Sequence, residues 1–268
     1  MLQRAITGAI FVAVLVGAIY LGGYYFHVLF GIIALVSLNE FYNLFPKKKL
    51  SPNTGFGLLI GMLLYVMASW TISYNLEVKY LLGVLILSFP LLAFAELYRK
   101  HKSPFQNIGV TILGWVYIIL PLVLLHQLMW NENMEDWSNY LPVLSVFILV
   151  WTSDTFAYLV GKNFGKHKLF VRISPNKSWE GFIGGLVFAS LVGYIIALIS
   201  DSSPVFYIGL GIMIASIGTL GDLVESMLKR SLGIKDSGTI LPGHGGLLDR
   251  IDAVLYVIPV VYLYFIIQ

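Results

Sequence analysis

The sequence predicts an all-α integral membrane protein, a polytopic bundle of about nine transmembrane helices with two polar cytoplasmic segments. Three observations predict it. Apolar residues make up 58% of the 268 residues and charged ones only 12%, where a soluble domain carries about a quarter charged residues. Apolar runs able to cross ~30 Å of hydrocarbon recur along the whole length, more than one folded core could hide. The bases then gather on one side of the membrane when those runs are threaded in order. Hydrocarbon offers no partner to backbone N–H and C=O groups, so each run is expected to be a helix.

The runs are 5–21, 24–45, 54–74, 79–96, 108–129, 141–161, 181–199, 204–221 and 253–267. Arg4 before the first resembles the start of a secretory signal, but no small-residue cleavage site follows, and the run reads as a span. Gly22-Gly23 alone separates the first two. Pro46, Pro52, Pro104, Pro142 and Pro204 punctuate other ends, where helices break or begin. The last run is short for a crossing, so its helix is expected to start in the polar segment before Asp252, or to sit where the membrane is thinned.

Sixteen of the seventeen Lys and Arg residues then share one side, and only Lys79 lies opposite, with the acidic stretch Asn131 to Asp136. The positive-inside rule places the N-terminus in the cytoplasm and the C-terminus outside, in a multi-pass protein of the cytoplasmic (inner) cell membrane. A net charge of +3 placed this way indicates membrane lipids as partners and no nucleic acid. With no cysteine, thiolate chemistry and disulfides are excluded. No internal repeat is evident. The chain reads as a single membrane domain, 1–268, with N-terminal helices over 1–140 facing lipid or serving assembly, and a catalytic part over 141–268 containing the polar segments 162–180 and 222–252.

Loops that only join bundled helices take a few residues, so two segments of ~20 and ~30 polar residues are candidates for function. In 222–252, if the eighth span continues as a helix, Asp222, Glu225, Ser226 and Lys229 share a face at i, i+3, i+4, i+7 spacing. For Glu225 the favoured reading is an exposed i, i+4 pair with Lys229. Asp222 follows an apolar run directly, and Asp249 and Asp252 lie one turn apart before the last span, where unpaired carboxylates are costly. Three acidic oxygen donors meeting phosphates indicate a hard divalent cation, Mg²⁺, which one or two carboxylates and substrate oxygens suffice to hold. Between them, Gly243, His244, Gly245 and Gly246 form a bend whose amides could line phosphate oxygens. The flanking Lys229, Arg230, Lys235, Asp236 and Arg250 make the whole a candidate polyphosphate site.

In 162–180, five cations lie between Lys162 and Lys177. Attachment to anionic lipid accounts equally well for Lys162, Lys166 and Lys168. Ser174, Lys177 and Glu180 precede an apolar span, where a capped helix N-terminus attracts phosphate, though Glu180 also suits a plain helix-start carboxylate. Asp154, inside the sixth run, is either functional or bonded to a neighbouring helix. Glu40 and Glu96, at helix ends, carry less weight, and the isolated His27, His101 and His126 are assigned nothing.

The run Ser226-x-Leu228-Lys229-Arg230, Lys235-Asp236-x-Gly238, Leu241-Pro242-x-His244-Gly245-Gly246-Leu247-x-Asp249-Arg250-Ile251-Asp252 resembles the signature of the phosphatidate cytidylyltransferase (CDP-diacylglycerol synthase) family, with no departure. Asp154 and Ser174-Pro175-x-Lys177-x-x-Glu180-Gly181 resemble further blocks, so the likeness covers roughly the C-terminal half. It implies that a phosphate oxygen of phosphatidic acid attacks the α-phosphorus of CTP, releasing pyrophosphate and forming CDP-diacylglycerol for phospholipid biosynthesis. It also implies Mg²⁺ held by Asp222 and Asp249 with Asp252, a second cation, and a homodimer.

Two rival readings remain. A CTP-dependent kinase of a polyprenol or other lipid alcohol would use similar phosphate-binding parts, and would need a base to activate its hydroxyl. A transporter or non-enzymatic lipid-binding membrane protein would use Asp154 and Glu96 along a solute path.

Overall fold

The computed structural model describes residues 2–45, 50–74, 76–129, 140–238, 240 and 245–267, with side chains from residue 6 onward. Among them, nine helices follow one another: α1 (Leu2–Leu21), α2 (Gly23–Asn43), α3 (Thr54–Tyr74), α4 (Val78–Arg99), α5 (Pro104–Met129), α6 (Leu141–Phe164), α7 (Trp179–Ile199), α8 (Pro204–Ser231) and α9 (Leu248–Ile267). Eight are long and apolar enough to cross a membrane; in α1 the apolar stretch is the shorter Ile6–Leu21. The chain is a multi-pass membrane protein. Each run read from the sequence corresponds to one helix. The last does begin in the polar segment, at Leu248.

No sheet is expected from the apolar runs, yet Lys168–Phe170 (β1) and Ser174–Ser178 (β2) pair antiparallel between α6 and α7. This is the one departure from an all-helical chain among the described residues. The segment lies outside the apolar runs and has no helical periodicity, so its backbone groups pair with each other or with water.

The chain divides into two compact units, one comprising Met1–Tyr140 with Asp236–Arg250, the other Leu141–Lys235 with Ile251–Gln268. In the first unit the α1–α2 turn uses Gly22 and Gly23 at φ of 60° and 44°, values that a side chain would disfavour. Within α5 a π turn spans Trp115–Ile119, where the N–H of Leu120 reaches back to Trp115. Next comes Pro121, which has no N–H to donate and would crowd the carbonyl four residues earlier, so the wider turn absorbs both defects. Polar ties fix the packing: the Trp115 indole donates to Gly57 O at 2.8 Å and the Tyr42 hydroxyl to Thr111 O at 2.7 Å. Tyr42 thereby anchors the C-terminal end of α2, whose residues Ser37, Leu38, Glu40, Phe41 and Tyr42 are all buried.

In the second unit α6, α7 and α8 pack through small residues that let backbones meet. A Cβ at Gly185 would lie 3.0 Å from Ser153 O, and one at Gly211 2.5 Å from Ala189 O. Phe156 and Phe188 stack at 3.7 Å between α6 and α7. The Tyr264 hydroxyl of α9 donates to Phe206 O of α8 at 3.0 Å, and the Tyr256 ring fills the space left by Gly221. That last contact sets the position of Asp222, the next residue.

Candidate active site

α8 is a 28-residue helix that continues past the apolar run to Ser231, so Asp222, Glu225, Ser226 and Lys229 do share one face. Asp222 Oδ2 pairs with Lys177 Nζ of β2 at 2.6 Å, and the Ser226 hydroxyl donates to Asp222 Oδ1 at 3.3 Å. Asp154 of α6 lies within electrostatic reach of both Asp222 and Lys177. Asp252 of α9 lies within electrostatic reach of Glu225 and Asp222. The second unit therefore gathers four carboxyl groups from three membrane-spanning helices around two lysines. Asp154 is exposed, and the Asp222 and Lys177 side chains are 38% and 26% exposed, so these three are open to a ligand.

Glu225 and Lys229 form the expected ion pair, but with side-chain exposures of 0% and 10% they are not on a solvated face. The reading of that pair as an exposed helix lacing is corrected: α8 turns this face into the protein. A buried pair is strongly perturbed by losing one partner, which an exposed pair is not. Arg230 is exposed and donates to Ile234 O at 3.2 Å, closing the end of α8; Lys235 is also exposed.

The helix cap expected in the 174–180 block is Ser178, whose hydroxyl accepts from Gly181 N at 3.2 Å. Ser174 lies instead in β2. Glu180 accepts from the backbone N–H of His167 at 3.2 Å and contacts its Nδ1 at 2.6 Å, so it stitches the approach to β1 onto the start of α7. Lys177 is the member of this block that reaches the carboxylate cluster.

Asp236, Gly245, Gly246, Asp249 and Arg250 belong to the first unit, and Gly243 and His244 lie outside the described residues. Asp249 accepts from Ser237 N at 3.0 Å and from Gly246 N at 3.0 Å. Glu40 of α2, 4% exposed, accepts from Leu247 N at 3.1 Å and Leu248 N at 2.8 Å. The donors of Gly246, Leu247 and Leu248 thus already serve carboxylates inside the protein, a use that the bend's glycines alone did not reveal. Asp236 and Arg250 are exposed.

Glu96, the other acid given little weight, accepts from Arg99 and from the Asn107 amide, both at 2.7 Å, tying α4 to α5. His126 contacts Tyr65 Oη at 3.2 Å, and its ring lies tilted against that of His27, 4.6 Å between centroids. These are structural bonds within the first unit.

The oxygen-only donors Asp222 and Asp252 fit a hard cation such as Mg²⁺, which completes its shell with waters and substrate oxygens. Among the described residues no group of three or more acidic or histidine side chains forms a ready-made ion cage.

The helices and this cluster define a multi-pass membrane protein with an accessible charged centre suited to phosphates. The cytidylyltransferase family model matches residues 2–268. A protein of Staphylococcus saprophyticus named phosphatidate cytidylyltransferase is 35% identical over 261 residues, covering 96% of this chain and 95% of its own. Proteins of the same name from Staphylococcus aureus and Staphylococcus haemolyticus are 36% and 34% identical over the same coverage. The chain belongs to the cytidylyltransferase family, and it is a nucleotidyltransferase. The resemblance first seen in the C-terminal half extends over the whole chain.

Proposed function

We propose that this chain is a phosphatidate cytidylyltransferase, converting CTP and phosphatidic acid to CDP-diacylglycerol and pyrophosphate. The likeness to relatives of that name along 96% of the chain carries the reading, and the accessible carboxylate and lysine cluster supports it. The lipid's acyl chains stay in hydrocarbon while its phosphate meets CTP at the membrane surface.

A phosphomonoester is largely dianionic at neutral pH, with its second pKa near ~6, so the attacking oxygen needs no strong base. The harder task is to bring two anions together. Lys177, held between Asp222 and Asp154, offers its ammonium to a phosphate oxygen and can exchange its carboxylate partner for the substrate. The exposed Arg230 and Lys235 add positive potential. Asp222 and Asp252 would hold Mg²⁺, and for Asp249 that role rests on the signature; bound there, the ion would neutralise charge on the transferring phosphate. A second cation and a homodimer rest on the resemblance alone. The excess of bases on one side supports an N-terminus on the cytoplasmic side of the inner cell membrane, with the reaction at that membrane's inner surface.

The test uses CTP labelled in different positions, with purified protein, Mg²⁺ and phosphatidate. Label from the cytosine or the α-phosphate enters the lipid and pyrophosphate is released; entry of γ-label alone would identify a lipid kinase. Asp222→Asn abolishes the release while the protein stays folded, and full activity in that variant removes the metal role from Asp222.

A further inference from the structure

We infer that Glu40 is a positioning residue for the reaction, acting through the segment that carries the family signature rather than on the substrates. The inference rests on the cytidylyltransferase reading for its kinetic consequence, but not for its geometry. Glu40 comes from an apolar helix near the start of the chain, yet its carboxylate is buried against Ser237, Gly238 and Gly246 to Leu248. Oε1 accepts from Leu247 N at 3.1 Å; Oε2 accepts from Leu248 N at 2.8 Å and from the Ser237 hydroxyl at 3.4 Å. A helix is ordinarily capped by a neighbour in sequence. Here the first turn of α9 is capped from a position 208 residues upstream, and a carboxylate is the group that a helix N-terminus favours.

The clamp has room only because two signature positions lack side chains. A Cβ at Gly238 would lie 2.5 Å from Glu40 Oε1, and one at Gly246 2.7 Å from Oε2. Those glycines therefore have a use besides approach to a phosphate: they admit the acid. Ser237 links the clamp to Asp249, giving its hydroxyl to Glu40 and its N–H to the Asp249 carboxylate at 3.0 Å. Gly246, beside the clamp, donates its N–H to that same carboxylate at 3.0 Å. Fixing Ser237 and Gly246 fixes where the Asp249 carboxylate points. A carboxylate bonded by two backbone amides is held in one orientation, which is the condition for a group that must meet a developing charge without reorganising. α2 can bear this load because Tyr42, two residues on, is tied to Thr111 O.

A merely space-filling role predicts that the isosteric Glu40→Gln is silent. The clamp predicts otherwise, since a glutamine presents an NH₂ to one of two amides that both need an acceptor. In the full chain purified in detergent, Glu40→Gln should speed hydrogen exchange of the amides of Ser237, Gly246, Leu247 and Leu248 by ten-fold or more, with α3 and α5 unchanged. It should lower kcat by ten-fold or more while KM for phosphatidate stays within about two-fold. Gly246→Ala attacks the clamp from the other side and carries the test if Glu40→Gln does not fold. Where both fold, their combination should lose little beyond either alone. Wild-type exchange and kcat in both variants, or losses that multiply independently, would overturn the inference. Should the wild-type chain release no pyrophosphate from CTP and phosphatidate, the functional reading fails instead, and the exchange measurement still decides the clamp.

Discussion

Lys229 and Glu225 show how burial changes what a pair of charges means. On a solvated helix this spacing is worth about 0.5 kcal/mol and either residue could be replaced cheaply. With the pair buried, removing the cation strands a carboxylate, a loss of roughly 3–5 kcal/mol. Lys229→Met should therefore lower the Tm of the detergent-solubilised protein clearly, and Glu225→Met in the same chain should restore part of it. Equal Tm values for wild type and Lys229→Met would show the pair to be solvated after all. At this scale the sequence was legible where chemistry sits beside hydropathy: Asp222 ends an apolar run and Asp154 interrupts one, and both lie in the cluster. Glu40 was not legible, because an acid at a helix end has an ordinary use at the surface. Its partners are 197 to 208 residues away, and no spacing rule spans that distance.

Helices α6, α7 and α8 are placed by what they lack. Lipid gives no hydrophobic drive for helix association, so close backbone approach through small residues supplies the packing. Gly211 meets the Ala189 carbonyl, where a Cβ would stand 2.5 Å from the oxygen. Backbone cannot yield as a flexible side chain can, so Gly211→Val should separate α7 from α8 and shift Asp222 away from Lys177. The expected result is a lower Tm with loss of pyrophosphate release; a variant with wild-type Tm would show that the contact tolerates a side chain. Every helix was legible at this scale because a membrane forces apolar runs to be helical. The ends were less so: α8 runs on to Ser231 because a helix satisfies its own backbone whether or not lipid surrounds it. The β1–β2 pairing left no trace because its strands, three and five residues long, are too short for a period-of-two pattern to stand out.

For the whole molecule, the distribution of bases makes a statement that the helices alone do not. A bundle of apolar helices has no intrinsic orientation; Lys and Arg near the span ends supply it, because they resist transfer across the membrane. The chain contains no cysteine, so single cysteines report position without removing native ones. Lys166→Cys, exposed between α6 and β1, and Asn133→Cys, in the acidic stretch on the predicted outer side, are the informative pair. In intact cells a membrane-impermeant maleimide should label Asn133→Cys and leave Lys166→Cys unlabelled until the membrane is opened. The opposite pattern would put the carboxylate cluster on the outer side, away from cytoplasmic CTP, and would break the link between the charge asymmetry and the proposed reaction. Labelling of both in intact cells would mean an even number of crossings between positions 133 and 166. α6 would then not span, even though its 24 residues are long and apolar enough to do so.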